Sequence, residues 1–258
     1  MASKVEIIGG APTVDLGVRN FSAEMENLGL LSWCSFDSSV ATIEGGRITE
    51  VLPRAGMHGL IKTADSAGPQ PVTRLGYGGG KMVDETLCYL YSPAQIDEAD
   101  FTIAMIWYMD AHSAAGQDLL SCYGGGSALR LWQLGSKVDC RFQSTTLIAG
   151  TDDVNQPGVF LSIMSASDGT VRLRTRSPTF TENVLTAART PTLGSNCRAV
   201  FGSDEIADGA SGANPSITRS MKDTVLDTFV FGRDIMSDPG DPALALIDQY
   251  FSEVYTNG

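Results

Sequence analysis

The chain has 258 residues, 43% hydrophobic and 19% charged, and its 30 acidic against 18 basic side chains leave a formal net charge of −12. A surface that acidic repels phosphate backbones and anionic lipid, and no run of Lys or Arg interrupts it, which excludes nucleic acid and membranes as expected partners. Apolar runs such as residues 103–109 fall far short of the ~20 residues that span a bilayer. Residues 1–10 (MASKVEIIGG) contain no apolar stretch of signal-peptide length, so folding in a cytoplasm is expected. Five cysteines, Cys34, Cys88, Cys122, Cys140 and Cys197, are an odd number at irregular separations with no C-x-x-C pair. That pattern predicts free, buried thiols in a reducing compartment rather than a zinc site or a disulfide framework.

Taken in chain order, residues 1–29 form a glycine-punctuated segment carrying Val5, Ile7, Ile8, Val14 and Leu16, which a stretch this short cannot bury within itself. It reads as an arm that adds a strand to the body or lies on a neighbouring subunit; docking in trans within a homo-oligomer is the expectation carried forward. From residue 30 onward short strand patterns alternate with Gly, Pro, Asp and Ser clusters, the clearer ones at 30–36, 47–52, 86–91, 101–109, 118–123, 128–134, 137–143, 158–166, 170–176 and 197–201. Gly135-Ser136 and Asp168-Gly169 each join two such runs as tight hairpin turns. The glycine clusters at 76–80 and 124–126 read as turns, and the stretches 54–81, 111–118 and 204–221 as surface loops. No helical pattern interleaves with the strands, which argues against a parallel α/β sheet. At the end of the chain, residues 225–231 alternate like a half-buried strand, and Asp241 and Pro242 suit the N-cap and first position of a helix. Leu244, Ile247, Tyr250, Phe251 and Val254 then recur at helical spacing, predicting one short amphipathic helix over residues 242–255. The expected fold is therefore all-β, an antiparallel sandwich spanning residues 30–258 with a single C-terminal helix.

The order of these features resembles the concanavalin A-like, laminin-G-like domain of bacteriophage and prophage structural proteins. Ser35-Phe36-Asp37-Ser38-Ser39 followed by Glu44-Gly45-Gly46-Arg47-Ile48-Thr49 is similar to that family's opening strand and first hairpin. Asp100 to Trp107 is similar to its long central strand, and Asp118-Leu119-Leu120-Ser121 with Gly124-Gly125-Gly126 to the next strand and glycine turn. Asp227 to Asp234 with Ile247-Asp248-Gln249-Tyr250-Phe251 is similar to its last strand and closing helix. The chain departs from the family where Val51 and Pro53 stand in place of a frequent Trp and Asp. The resemblance implies a jelly-roll sandwich in a virion part: a head decoration, head fibre or tail-associated adhesin, whose lectin-like domain meets partner subunits or surface glycans. A fibre-like part implies a trimer. The alternative is a glycan-binding or glycan-degrading protein of the same fold outside any virion.

Some relatives of this fold are glycosidases, which place two carboxyl groups ~5–5.5 Å apart for retaining hydrolysis. No strand of this sequence carries acidic residues at the alternating spacing that would do so; Asp97-Glu98-Ala99-Asp100 and Asp204 to Asp208 stand at turns. His58 and His112 have no Gly-x-Ser-x-Gly elbow to serve, so no catalytic residue is expected. Tyr77 and Tyr123, beside glycine turns, are the candidate ligand-contact residues, whereas Trp33, Trp107 and Trp132 sit inside strand patterns and read as core. No cofactor is expected. Calcium is the one metal with candidate oxygen ligands, from Asp152, Asp153 and Asn155 or from the acidic residues at 204–208.

Overall fold

The computed structural model describes residues 4–7, 21–36, 40–64, 66–83, 88–110, 116–152, 154–181, 183–189, 193, 196–203 and 221–256. In chain order these contain β1 (Lys4–Ile7), α1 (Phe21–Glu26), β2 (Leu30–Ser35), β3 (Val40–Glu44), β4 (Arg47–Val51), β5 (Ala55–Gly56) and β6 (Leu60–Ile61). Next come β7 (Gln70–Arg74), β8 (Tyr77–Lys81), β9 (Leu90–Tyr91), β10 (Phe101–Met109), β11 (Gln117–Gly124), β12 (Ser127–Leu134), β13 (Lys137–Phe142) and β14 (Thr145–Ile148). The last are β15 (Gly158–Ser167), β16 (Thr170–Arg176), β17 (Leu185–Ala188), β18 (Arg198–Phe201), β19 (Thr224–Phe231) and α2 (Pro242–Tyr255).

Antiparallel pairing gathers the strands into two sheets. One has ten strands in the order β1-β3-β4-β6-β9-β18-β11-β12-β13-β14; the other has nine, running β17-β16-β15-β10-β19-β2-β5 with the β7–β8 hairpin attached through β19. The inner faces meet in one apolar core that includes Ile48, Val51, Leu60, Leu90, Phe201, Leu120 and Leu131 from the first sheet and Ile103, Met105, Trp107 and Met109 from the second. The expected all-β sandwich with one C-terminal helix is the fold found.

The continuous apolar run of β10 has a physical reason. Its odd-numbered residues face the inter-sheet core, while Ala104 and Ile106 face a second cluster with Phe229, Ile247, Tyr250 and Phe251. A strand buried on both faces loses the polar half of its alternation. The helix covering it is α2, started as its sequence predicts: Asp241 caps it by accepting from the Ala243 N–H at 2.8 Å, with Pro242 in the first turn. At the Asp168-Gly169 hairpin both residues take positive φ (48° and 69°), as a type I′ turn requires.

One expectation about turns is corrected. The glycines at 78–80 are not turn residues but the body of β8, and the turn is Leu75-Gly76. They are glycines because neighbours press on them: a Cβ on Gly79 would lie 2.6 Å from Thr224 Cγ2, and one on Gly80 2.9 Å from Phe36 Cε1. The segment read as an arm adds, in its described part, a strand to its own chain's body, the first of the two placements its sequence allowed. The β1 backbone pairs with β3 in the order Lys4 with Ile43 to Ile7 with Val40, and Phe21 and Met25 of α1 are buried with Trp33, Leu244 and Tyr250. The parts of residues 1–29 that are described therefore do not lie apart from the body.

The five cysteines are free and buried, with burial pushing the Cys34 thiol up to about 12 and the Cys88 thiol to about 11. Beneath α2, the fully buried Asp227 carboxylate accepts from Trp33 Nε1 at 2.9 Å, from the Tyr250 hydroxyl at 3.3 Å and from the Tyr255 hydroxyl. Burial pushes its carboxyl from 3.8 up to about 6, against the pull of those donors and of the Arg54 charge. A folded-state pKa above the unfolded one means that the native state holds the extra proton, so stability falls as pH rises from about 4 through about 6 and is level above. Asp227→Asn is expected to be near-neutral at pH 4 and to stabilise by about 3 kcal/mol at pH 7.5, the two-unit shift at ~1.4 kcal/mol per unit. Denaturant titration of both proteins across that range checks it; a difference independent of pH would contradict the assignment.

Candidate functional site

Each sheet has one outer face, and among the described residues helices cover only that of the nine-stranded sheet. The outer face of the nine-stranded sheet is closed by α1 and α2 through the second apolar cluster. Over its centre the rings of Trp33, Phe229 and Tyr250 pack at centroid distances of 4.9–6.1 Å, and Arg54 lies 4.4 Å from the Trp33 ring. Between the two helices an apolar notch of about 370 Å³ remains, with Leu28, Ala245 and Leu246 in its wall.

The outer face of the ten-stranded sheet follows from register, because directly opposed residues share a face. Thr42 opposes Glu50, Glu50 opposes Ile61, Ile61 opposes Tyr91 and Tyr91 opposes Val200. The row continues through Ser121, Arg130 and Arg141 to Thr146. One residue over, the neighbouring row of Leu90, Phe201, Leu120, Leu131, Cys140 and Ile148 is apolar and lies in the core. The alternation thus turns a polar and aromatic row outward across the width of the sheet.

The middle of that row is shut. Val200, Ser121 and Arg130 are buried; the Ser121 hydroxyl donates to the Ser203 carbonyl at 3.0 Å, and Arg130 pairs with Asp118 at 2.8 Å. At the β3–β4–β6 end the row opens into a recess of about 570 Å³. Thr42, Glu50, Ile61, Lys62 and Thr63 line it, with Glu44 at one side. The Thr42 hydroxyl donates to Glu50 Oε2 at 3.4 Å, the Thr49 hydroxyl to the Thr42 carbonyl at 3.2 Å, and the Thr63 and Tyr89 hydroxyls are 2.5 Å apart. Tyr91, half-buried beside Ile61, carries the Arg198 guanidinium 5.7 Å from its ring centroid. Hydroxyls, two carboxylates and an ammonium line one shallow polar recess, with Tyr91 next along the row opposite Ile61, and such a lining can hydrogen-bond a polyol.

Of the residues singled out in the sequence, Tyr77 holds the end of α2: its hydroxyl donates to the Val254 carbonyl at 2.6 Å and its ring lies 4.9 Å from that of Tyr255. Tyr123 is on the outer face of the ten-stranded sheet but only 5% exposed, packed with Tyr89, Ala128 and Val200. Asp152 accepts from Ser136 Oγ at 2.8 Å and faces Lys137 Nζ at 3.6 Å, while the Asn155 amide donates to the Asp152 carbonyl. Asp153, His112 and residues 204–208 lie outside the described residues. Among the described residues no three His, Cys, Asp or Glu side chains converge as metal ligands. Trp33 and Trp107 are core, whereas Trp132 is half-buried, with Arg130 4.8 Å and Arg141 5.4 Å from its ring.

The turn carboxylates are structural ties. Glu98 accepts from Arg189 at 2.8 Å and from the Leu193 N–H, and Asp100 from the Asp234 N–H at 2.6 Å. At one end of the sandwich Asp110 is gripped by Arg74 at 2.5 Å and Lys81 at 2.6 Å. Burial works to raise its carboxyl, and those two cations outweigh it and hold it below the ordinary value. Burial pushes the neighbouring Asp223 carboxyl up, and its oxygens accept from the Asp110 N–H and the Gln117 amide. The pair joins β10, β11, β8 and β19. Sequence reasoning missed Tyr91, Glu50 and Thr42. Strand patterns covered Glu50 and Tyr91 but not Thr42, and only the pairing of β3, β4, β6 and β9 brings the three into one row.

No protein-family model and no curated protein matches the chain. Solved structures do. A Trypanosoma rangeli sialidase in complex with sialic acid superposes with a TM-score of 0.54 at 11% identity, over 87% of this chain and 33% of that one. A chain of botulinum neurotoxin type C, a toxin whose cell entry depends on interaction with two ganglioside molecules, gives 0.54 at 8% identity, over 87% of this chain and 52% of that one. The binding domain of botulinum neurotoxin DC, in complex with rat synaptotagmin II, gives 0.54 at 9% identity, over 90% and 53%. The chain spans about a third to a half of these structures, and at such identities what it shares with them is the β-sandwich fold.

Proposed function

We propose that this chain is a non-catalytic recognition domain that binds glycans in the recess at Thr42, Glu50, Ile61 and Tyr91. The observation that carries the reading is the asymmetry of the described sandwich: helices close one outer face, and the other carries a polar recess whose Ile61 stands opposite Tyr91. The ligands named for two similar structures, sialic acid and gangliosides, are glycans or carry them, which supports the same class for this chain. The non-catalytic reading is supported by the use of the carboxylates at Glu98, Asp100, Asp110 and Asp223 as ties between elements.

The resemblance of the sequence to phage structural proteins supports a role on a virion, as a head decoration, head fibre or tail-associated adhesin acting as a homo-oligomer, a trimer if fibre-like. There, weak single-site binding would be multiplied by avidity. The same domain in a protein outside any virion is the alternative, and recovery of the chain only outside purified particles would favour it.

Binding of the purified chain to a panel of immobilised oligosaccharides tests the glycan reading. Saturable binding is expected, weakened about tenfold by Tyr91→Ala, which is ~1.4 kcal/mol. An unchanged affinity in that variant would remove the recess from the account.

A further inference from the structure

We propose that Met57 is a site of reversible oxidation in this chain, where a peroxide-class oxidant converts the thioether to a sulfoxide and leaves the fold intact. Among the described residues Met57 is 85% exposed, whereas the other seven methionines, Met105 and Met164 of the inter-sheet core included, are at most 3% exposed. Oxygen transfer needs contact between sulfur and oxidant, so close packing shields those seven. The five cysteines are free but buried, which shields the more nucleophilic sulfurs too. Met57 does not stand on a loose loop. The Gly56 N–H donates to Glu26 Oε1 at 2.9 Å, the Met57 N–H donates to the Leu31 carbonyl at 3.2 Å, and the His58 carbonyl accepts from the Ser32 hydroxyl at 2.6 Å. Gly56 has a φ of 81°, and a Cβ there would lie 2.5 Å from the Leu31 carbonyl oxygen, so the backbone runs flush against β2. Three consecutive residues are thus tied to α1 and β2, and the methionine side chain among them is left in solvent.

The step balances with the peroxide alone. A sulfur lone pair attacks one peroxide oxygen and forms the S–O bond as the O–O bond breaks, and the other oxygen leaves as water after a proton shift. Sulfur loses an electron pair and the peroxide gains it. A methionine sulfoxide reductase reverses the change, with a dithiol supplying the electrons and becoming a disulfide while the oxygen departs as water. A thioether carries no ionisable proton, so its oxidation rate is level with pH, whereas that of a thiol climbs as thiolate forms. Because the Met57 side chain is exposed, its more polar sulfoxide stays in water and avoids the desolvation that a buried one would suffer.

Hydrogen peroxide added to the whole chain, with oxygen uptake at each methionine followed by peptide mass spectrometry, tests this. Met57 is expected to oxidise at least ~tenfold faster than any of the seven buried methionines and before any cysteine, at a rate unchanged between about pH 5 and about pH 8. In denaturant those eight methionines should oxidise at similar rates, because the selectivity comes from the fold. The chain oxidised at Met57 should melt within ~2 °C of the untreated one, and methionine sulfoxide reductase should restore the thioether. A Met57 rate within ~threefold of a buried methionine's, prior oxidation of a thiol, or selectivity that survives denaturant would each overturn the inference. So would a melting point lowered by more than ~5 °C, since the sulfoxide would then be disturbing packed structure.

Discussion

Alanine in place of Trp33 is expected to lower the unfolding free energy by about 4 kcal/mol, within the ~3–5 kcal/mol range for a buried aromatic side chain. Trp33 is fully buried in β2, tilted against Phe229 at 5.3 Å and edge-on to Tyr250 at 4.9 Å. Its removal leaves a cavity between β19 and α2 and takes the indole N–H away from Asp227, a carboxylate with no solvent to turn to. The two losses are of different kinds: the cavity costs dispersion and transfer free energy, the missing donor costs electrostatic compensation in a low dielectric. The second component should shrink at pH 4, where Asp227 is protonated, so the variant's deficit should be smaller there than at pH 7.5. Equilibrium denaturation at both pH values reads this out. A deficit below ~1 kcal/mol at pH 7.5 would show that α2 is not held by this cluster.

Deleting residues 2–29 is expected to unfold the chain or leave it aggregation-prone, rather than to yield a stable sandwich that has merely lost a docking arm. Phe21 and Met25 are buried against α2, and fully burying side chains of that size contributes ~1.5–3 kcal/mol each. Removing both approaches the whole stability of a marginal domain, ~5–15 kcal/mol. The deletion also takes away the Glu26 carboxylate that accepts from the Gly56 N–H at 2.9 Å, and the strand that covers the β3 edge. An uncovered edge is a template for pairing between chains. Circular dichroism and light scattering of the truncated chain decide the matter. A folded, equally stable product that differs only in self-association would restore the arm reading.

Much of the architecture is written in local patterns. The end of the chain is the clearest case: Asp241, Pro242 and the spacing of Leu244, Ile247, Phe251 and Val254 define α2 without reference to anything else. The glycines of β8 are the opposite case. Gly79 and Gly80 are dictated by Thr224 and Phe36, partners remote in sequence, so their local signature is indistinguishable from that of a turn. Near the N-terminus Phe21 and Met25 drew no notice in the sequence, because what buries them is α2 of the same chain, over two hundred residues away. The recess was not legible at all. Thr42, Glu50, Ile61 and Tyr91 come from four separate strands, and what joins them is a register that no single segment encodes.

The central claim is that the open outer face of the ten-stranded sheet, and not the helix-covered face, is where this protein meets its ligand. Amide hydrogen exchange read by mass spectrometry, with and without a saturating neutral oligosaccharide, tests it most directly. The account predicts new protection in peptides spanning residues 40–51, 60–64 and 88–91, where the recess and Tyr91 lie. Protection confined to 21–28 and 242–256, around the notch between the helices, would contradict it.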